Sequence, residues 1–170
     1  MIRMYRACIA IIDASRARLF TFERDLEPEG LHESFKEETD LVDPARRLRP
    51  SELFSDSRPG VGRTGSLQYG VDDHREAHIE QFDIVFARNI VAEIKKILGT
   101  KQIQRLVVCG SPNMLGVLRT EMADLRRDPL VIEEIPRDLV KLTLPQIRDQ
   151  LTDYGLLPPR PPRPPLSPVA

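Results

Sequence analysis

Two apolar runs constrain the fold of this 170-residue chain more than any other feature. One covers residues 4–13 and ends at Asp13, and the other covers residues 103–109. Runs that lack regular polar alternation are typical of strands that are buried on both faces of a sheet. Each run contains one of the two cysteines, Cys8 and Cys109. We therefore expect both thiols to be buried in strands and to stay reduced and unpaired.

Further strands are predicted on either side of these runs. Residues 17–24 alternate between apolar and polar side chains, and the short link at 14–16 predicts a hairpin with the first strand. Residues 29–37 predict a third strand of the same sheet. Residues 130–135 predict a last strand, near the end of the domain. The sheet would then contain five strands.

A long helix is predicted between the third strand and the second apolar run. Apolar residues at helical spacing place it from about Arg75 to Leu98. Asp73 is the predicted N-cap, and Glu76, three residues later, would complete a capping box. Gly99 is the predicted end of the helix.

Two shorter helices are marked by their capping residues. Ser111 followed by Pro112 is typical of a helix start. Thr143 and Gln146 form a second capping box, which starts the last helix. The resulting order, β-β-β-α-β-α-β-α, predicts an α/β fold: a single layered domain over residues 1–155, with a mixed β-sheet flanked by helices.

The segment between the third strand and the long helix, residues 38–72, is predicted to be a long Arg/Gly loop. Five arginines oppose two acids between residues 44 and 66, whereas the whole chain has a net charge of −1. Affinity for phosphate must therefore come from a local patch, and arginine suits phosphate well. The candidate residues for binding RNA or another anion are Arg46, Arg47, Arg49, Arg58, Gly60, Gly62, Arg63, Gly65 and His74.

Composition limits the expected cellular location and the expected mode of RNA binding. No stretch approaches about 20 apolar residues, so no insertion into a membrane is expected. The uninterrupted apolar stretch within the first run, Ala7 to Ile12, is only six residues long. It is too short for the core of a secretion signal, and the expected location is the cytoplasm. Aromatic residues make up 5% of the chain and Trp is absent, which argues against base stacking as the main mode of RNA binding.

Proline dominates residues 156–170. Such a segment favours an extended left-handed helix and is predicted to be a disordered, solvated tail that does not join the core. It is also a candidate ligand for a protein partner.

Several residues invite a catalytic or metal-binding interpretation, and each also has a structural one. His74 and His78 share a helix face, but the sequence HREAH lacks a clear third metal ligand. Asp13 follows a strand, where a turn explains it as well as catalysis does. Ser111 lacks the surroundings of a hydrolase nucleophile. We expect no cofactor and no metal, and a binding module rather than an enzyme; a small hydrolase using Asp13, His74 or His78 is the alternative.

A set of motifs in a fixed order resembles one protein family. The motifs are DASRARLF at 13–20, SDSRPG at 55–60, Phe86-Ala87 in the long helix, LVVCGSPNMLGVLR at 106–119 and IPRDLVKL at 135–142. Together they resemble the bacterial host-attachment proteins, described as required for attachment to host cells. The resemblance covers roughly residues 5–152. It implies an interaction protein with an indirect role in attachment.

That family in turn resembles the middle domain of archaeal and eukaryotic peptide-chain release factors. There, a glycine-rich loop before a long helix carries a Gly-Gly-Gln tripeptide into the ribosomal peptidyl-transferase centre. The loop in the same place here reads Gly62-Arg63-Thr64-Gly65-Ser66, and the nearest glutamine is Gln68. The resemblance therefore implies a loop that faces RNA or the ribosome, without the tripeptide that peptide release requires.

Overall fold

A mixed β-sheet forms the centre of the computed structural model, which describes residues 4–43, 69–127 and 129–163, with the backbone alone at 69–82 and Arg127. Its strands are β1 (Tyr5–Ile12), β2 (Arg16–Glu27), β3 (Gly30–Val42), β4 (Arg105–Gly110) and β5 (Val131–Ile135), in the order β3-β2-β1-β4-β5. The β1–β2 and β2–β3 pairs are antiparallel, and β4 is parallel to both β1 and β5.

Strand β1 lies in the middle of the sheet and is buried on both faces. Its side chains alternate, so that Cys8, Ala10 and Ile12 enter one core cluster and Ala7, Ile9 and Ile11 enter the other. All six are fully buried. The apolar run in the sequence is therefore explained by the burial of β1 side chains on both faces of the sheet.

Helices cover both faces of the sheet. The helices α1 (Tyr69–Lys101) and α2 (Pro112–Glu121) pack on the face of Cys8 and Ile12, and a short 3-10 helix at Leu125–Arg127 follows α2. The helix α3 (Leu144–Asp153) covers the opposite face, where its Ile147 and Leu151 are fully buried. None of the described helices combines the length and the apolar character needed to cross a membrane.

The predicted fold class is confirmed: the described chain is an α/β domain with a mixed sheet between helices. The capping residues of the two shorter helices are also as predicted. Ser111 caps α2, and Thr143 caps α3 through a capping box with Gln146. These signals hold because a capping bond joins residues two to three positions apart, so that its chemistry is complete within the local sequence.

The boundaries of the predicted Arg/Gly loop are wrong at both ends. Strand β3 continues to Val42 because its pairing with β2 extends to the Arg16–Val42 pair, so residues 38–42 are strand and not loop. Helix α1 begins at Tyr69, which places Asp73 inside the helix instead of at its N-cap. Gly99 lies within the last turn of α1, which ends at Lys101. Residues 44–68 lie outside the described part of the chain.

The two cysteines lie on different faces of the sheet. Cys8 on β1 belongs to the cluster under α1, and Cys109 on β4 belongs to the cluster under α3. Both are free and buried, as predicted. Burial raises the pKa of each thiol to about 12, so that almost no reactive thiolate is present at neutral pH.

The predicted solvated tail is wrong for its first residues, because Leu156 and Leu157 are buried in the core under α3. Gly155, at a φ of +73°, turns the chain back over the end of the helix, a conformation that glycine adopts without strain. The N–H groups of Leu156 and Leu157 then donate to the carbonyl of Leu151 at 2.9 and 3.2 Å. Tyr5 Oη donates to the carbonyl of Leu156 at 2.7 Å, which ties this turn to β1.

Strands β1 and β4 approach so closely at their carboxyl ends that only glycine fits at position 110. A Cβ added to Gly110 would lie 2.8 Å from the carbonyl oxygen of Ile12, a rigid backbone atom. We expect Gly110→Ala to lower the free energy of unfolding by about 1–3 kcal/mol, measured by urea denaturation. Gly116→Ala is the matched control, since space is open around Gly116 on α2. It should raise stability by about 0.5–1 kcal/mol, and equal destabilisation by both changes would contradict the explanation.

Truncation tests the burial of Leu156 and Leu157. The free energy of unfolding should be about 3–6 kcal/mol lower for a chain that ends at Gly155 than for a chain that ends at Leu157. The reason is that each leucine side chain contributes about 1.5–3 kcal/mol on burial. Urea denaturation of the two chains measures the difference. Equal stability would mean that the two leucines do not belong to the core.

Candidate functional site

The carboxyl ends of the parallel strands β1, β4 and β5 meet at one edge of the sheet. We call the residues around this end the carboxyl edge: the β1–β2 turn at 13–16, Asp43 after β3, residues 111–113 at the start of α2, and the loop at 136–141 after β5. In open α/β sheets, ligands bind preferentially at the carboxyl ends of the strands. Polar and charged side chains are concentrated in these loops, so the carboxyl edge is the first candidate site.

Asp13 organises the turn between β1 and β2. Its Oδ1 accepts hydrogen bonds from the backbone N–H of Ser15 at 2.7 Å, from the N–H of Arg16 at 2.6 Å and from the hydroxyl of Ser15 at 3.1 Å. This is the turn in which an Asp side chain bonds its own following backbone. The structural interpretation of Asp13 is therefore supported by every bond that its Oδ1 makes.

Ser111 acts as the N-cap of α2. Its Oγ accepts from the N–H of Met114 at 3.3 Å, and its carbonyl accepts from the N–H of Leu115 at 2.9 Å. The first bond satisfies an N–H group that a helix start would otherwise leave without a partner, and the second is the first regular hydrogen bond of the helix. Ser111 is thus committed to the helix end, in agreement with the capping role considered from sequence.

Two arginines on β2 connect the carboxyl edge to its neighbours. Arg16 makes a two-pronged ion pair with Asp40 on β3, with distances of 2.8 and 2.6 Å. Arg18 is buried and pairs with Glu37 at 2.8 and 3.1 Å. Its Nη1 also donates to the carbonyls of Val140 and Leu142 at 3.0 and 2.7 Å, which holds the loop before α3 against the sheet.

The described carboxyl edge is not basic. Including the β2 arginines and their partners, it carries four cations (Arg16, Arg18, Arg137 and Lys141) against five acids (Asp13, Glu37, Asp40, Asp43 and Asp138). Arg137 and Lys141 are exposed and form no ion pair with a described residue. Any strong attraction for an anion at this edge must therefore be supplied by further residues.

The arginines predicted to bind RNA follow the carboxyl edge in sequence. Asp43, the last described residue before them, donates its N–H to the carbonyl of Ser15 at 2.8 Å, so the chain leaves the sheet beside the β1–β2 turn. The predicted residues Arg46, Arg47, Arg49, Arg58, Gly60, Gly62, Arg63 and Gly65 lie outside the described residues. His74 lies on α1, where the backbone alone is described, as does His78.

The model of one protein family matches residues 8–151, which is most of the chain. Its members are described as "Protein required for attachment to host cells". The chain belongs to this host-attachment family. None of the curated proteins compared with the chain matches it. The family resemblance inferred from the sequence motifs is therefore confirmed.

A second charged group in this family member lies under α3 and was missed from sequence. Arg148 on α3 and Arg24 on β2 both donate to Glu33 on β3, with shortest distances of 2.8 and 2.6 Å. We call these three residues the arginine clamp. Burial raises the pKa of Glu33, but hydrogen bonds from Arg148 and Arg24 outweigh that effect and hold the pKa below its ordinary value. Glu33 therefore stays ionised at neutral pH.

Sequence contained a partial signal for the arginine clamp. Arg24 follows Phe20 and Phe22 at alternating positions of β2, which predicts that all three point towards the same face. A charged residue in an inward-facing register needs a partner, and Glu33 lies directly opposite Arg24 across the antiparallel pair. Arg148 could not be found in this way, because the position of α3 over the sheet is set by tertiary packing.

The opposite, amino edge of the sheet carries a cleft of about 470 Å³ at the end of α1. Its lining is mostly apolar, with Leu98, Ile103, Leu125 and Leu130 among the lining residues and the charged groups of Lys95 and Asp124 beside them. Lys101, the last residue of α1, pairs with Glu38 on β3 at 2.9 Å, and Glu38 also accepts from Thr21. These two bonds lower the pKa of Glu38. Among the described side chains, no group of three or more His, Cys, Asp or Glu could hold a metal ion.

Substitution of Asp13 distinguishes its role as a hydrogen-bond acceptor in the turn from a role of its negative charge. Asp13→Ala should lower the free energy of unfolding by about 1–2 kcal/mol, since the N–H groups of Ser15 and Arg16 lose their acceptor. Asp13→Asn retains an Oδ1 acceptor without the charge and should stay within about 1 kcal/mol of the original chain. Urea denaturation measures both, and an alanine variant as stable as the asparagine variant would contradict the turn role.

Proposed function

We propose that this member of the host-attachment family is a non-enzymatic binding module that contacts RNA or the ribosome through its Arg/Gly segment, residues 44–68. The observation that carries the proposal is the bond between Asp43 and Ser15, which starts the segment at the carboxyl edge. A segment that starts there is attached to the sheet beside the buried end of β1. The segment that carries the arginines would then be attached to the folded domain at a defined point.

The charge balance indicates that the segment, and not the carboxyl edge, would supply the positive charge for RNA binding. The described edge has one more acid than it has cations, so it offers no positive field of its own. Residues 44–66 carry five arginines against two acids. Contacts to RNA would therefore be made by the segment, mostly to phosphate, and would depend strongly on salt.

The polar groups of the carboxyl edge support binding over catalysis. Asp13 and Ser111, the two described residues with the best case for chemistry, each serve the backbone that follows them. We also propose that the chain does not hydrolyse peptidyl-tRNA, because the sequence of the loop lacks Gly-Gly-Gln. A relation to the release-factor middle domain is part of this proposal and supplies its expected ligand.

A second candidate function is an indirect role in attachment to host cells through a protein partner. The description of the family, "Protein required for attachment to host cells", favours it. In this case the carboxyl edge would bind protein instead of RNA, and the arginines would meet acidic side chains.

Removal of the arginines tests the RNA proposal. Changing Arg46, Arg47, Arg49, Arg58 and Arg63 to Ala should weaken binding to single-stranded RNA and to purified ribosomes at low salt. The slope of log K against log salt for RNA should become shallower by about 0.7 for each phosphate that the variant no longer neutralises. A salt series by fluorescence anisotropy for RNA and by co-sedimentation for ribosomes measures the effect.

A matched pair of variants controls for net charge. Arg46, Arg47 and Arg49 changed to Ala remove three positive charges from the six residues that follow Asp43 in sequence. Lys36, Lys95 and Lys96 changed to Ala remove three elsewhere on the surface, where all three are exposed. The arginine triple should weaken RNA binding more than the lysine triple does, because the lysine triple measures the effect of a general loss of positive charge. Equal effects would contradict a site in the segment, and no RNA or ribosome binding by any form would favour the protein-partner function.

A further inference from the structure

The proline-rich residues 158–163 show a three-residue rhythm of exposure on the surface of the domain. Pro158 and Pro161 are half-buried, whereas Pro159, Pro162 and both arginines between and after them are exposed. A polyproline II helix has three residues per turn, and proline fixes the backbone near that conformation. The rhythm therefore indicates three rows: an inner proline row against the domain, an outer proline row, and an arginine row.

The domain holds the start of this segment at several points. Arg148, which is 3% exposed, donates through Nη2 to the carbonyl of Pro158 at 2.8 Å. Arg24 donates through Nη2 to the carbonyl of Pro159 at 2.5 Å. Both guanidiniums belong to the arginine clamp and are oriented by Glu33. Leu156 and Leu157, immediately before, are buried.

A third contact fixes the direction in which the segment runs. Arg160 pairs with Asp149 on α3 at 2.8 Å and donates to the carbonyl of Pro145 at 3.3 Å. Asp149 precedes the end of α3 and Pro145 lies near its start, so the segment turns back along the helix. Burial of apolar surface does not explain these bonds, because the residues that they hold are mostly exposed. Their effect is to hold the segment in one orientation.

The outward surface of the held segment has a definite chemistry. Pro159 and Pro162 are exposed at the spacing of a PxxP ligand, and proline rows of this kind dock into aromatic-lined grooves. Arg163 is exposed and forms no ion pair with a described residue, whereas Arg160 is already paired. The surface therefore offers two proline rings and one guanidinium that has no ion-pair partner in the described part of the chain.

We propose that residues 158–163 are a docking ligand, displayed by the arginine clamp, for a protein partner whose groove is lined with aromatic rings and flanked by a carboxylate. The aromatic rings would take Pro159 and Pro162, and the carboxylate would take Arg163. Holding the segment in advance lowers the entropy that the partner must remove on binding. An RNA partner fits this surface less well, since only one of the two arginines is unpaired.

Binding of the full chain to an array of purified SH3, WW and EVH1 domains tests the proposal. At least one domain should bind, and Pro159→Ala combined with Pro162→Ala should weaken that binding about tenfold or more, as loss of a central anchor does. The matched control changes the inner row, Pro158→Ala with Pro161→Ala, and should have a smaller effect. No binding to any domain, or equal loss from both double variants, would overturn the proposal.

Two further measurements on the same array test the charge of Arg163 and the display of the segment by the arginine clamp. Arg163→Glu should weaken binding more than Arg163→Lys does, because only the former reverses the charge that faces the carboxylate. A synthetic peptide of residues 156–166 should bind more weakly than the full chain, since it must be ordered on binding. A peptide that binds as tightly as the full chain would overturn display by the clamp. None of these variants alters residues 44–68, so the RNA measurements stay independent.

Discussion

The parallel pairing of β1 with β4 is the constraint on which the rest of the structure depends. It needs a glycine at position 110, where the backbone of Ile12 comes too close for any Cβ. It also places a strand with no solvent-facing side in the centre of the sheet, so both faces need cover. Helices α1 and α2 supply that cover on one face, and α3 with the turn at Leu156 supplies it on the other. The same pairing brings the ends of β1 and β4 to one edge, which creates the candidate site.

The two faces of the sheet differ in how they are closed. The face under α1 and α2 has a large apolar cluster, and the ion pair between Lys101 and Glu38 lies at the end of α1. The face under α3 also contains an aromatic cluster in which the guanidinium of Arg148 lies 5.1 Å from the ring centroid of Phe22, with Glu33 as the counter-charge. Buried ion pairs add little net stability on average, and the two arginines of the clamp also donate to the carbonyls of Pro158 and Pro159. Here they orient the chain beyond Leu157, and the α3 face therefore carries a surface that is separate from the carboxyl edge.

Sequence predicted the features that depend on local chemistry and missed those that depend on distant partners. The buried strands, the hairpin, the caps at Ser111 and Thr143 and the fold class all follow from patterns within a few residues. The extension of β3 to Val42 and the burial of Leu156 depend on β2 and on the α3 face, which composition cannot reveal. Proline content suggested a tail without tertiary contacts, and neighbouring arginines hold its first residues instead. At the candidate site, the turn of Asp13 was foreseen, whereas the pairing of Arg18 with Glu37 and two carbonyls was not.

The geometry of the carboxyl edge supports the central proposal, that RNA binds where Asp43 leaves the sheet. Backbone amide chemical shifts of the ¹⁵N-labelled chain, recorded during titration with a ten-nucleotide single-stranded RNA, test this claim most directly. The account predicts the largest shift changes of described residues at Ser15, Arg16 and Asp43, and small changes at the amino edge. Changes concentrated at Lys101, Gln104 and Arg105, at the opposite end of the sheet, would contradict it.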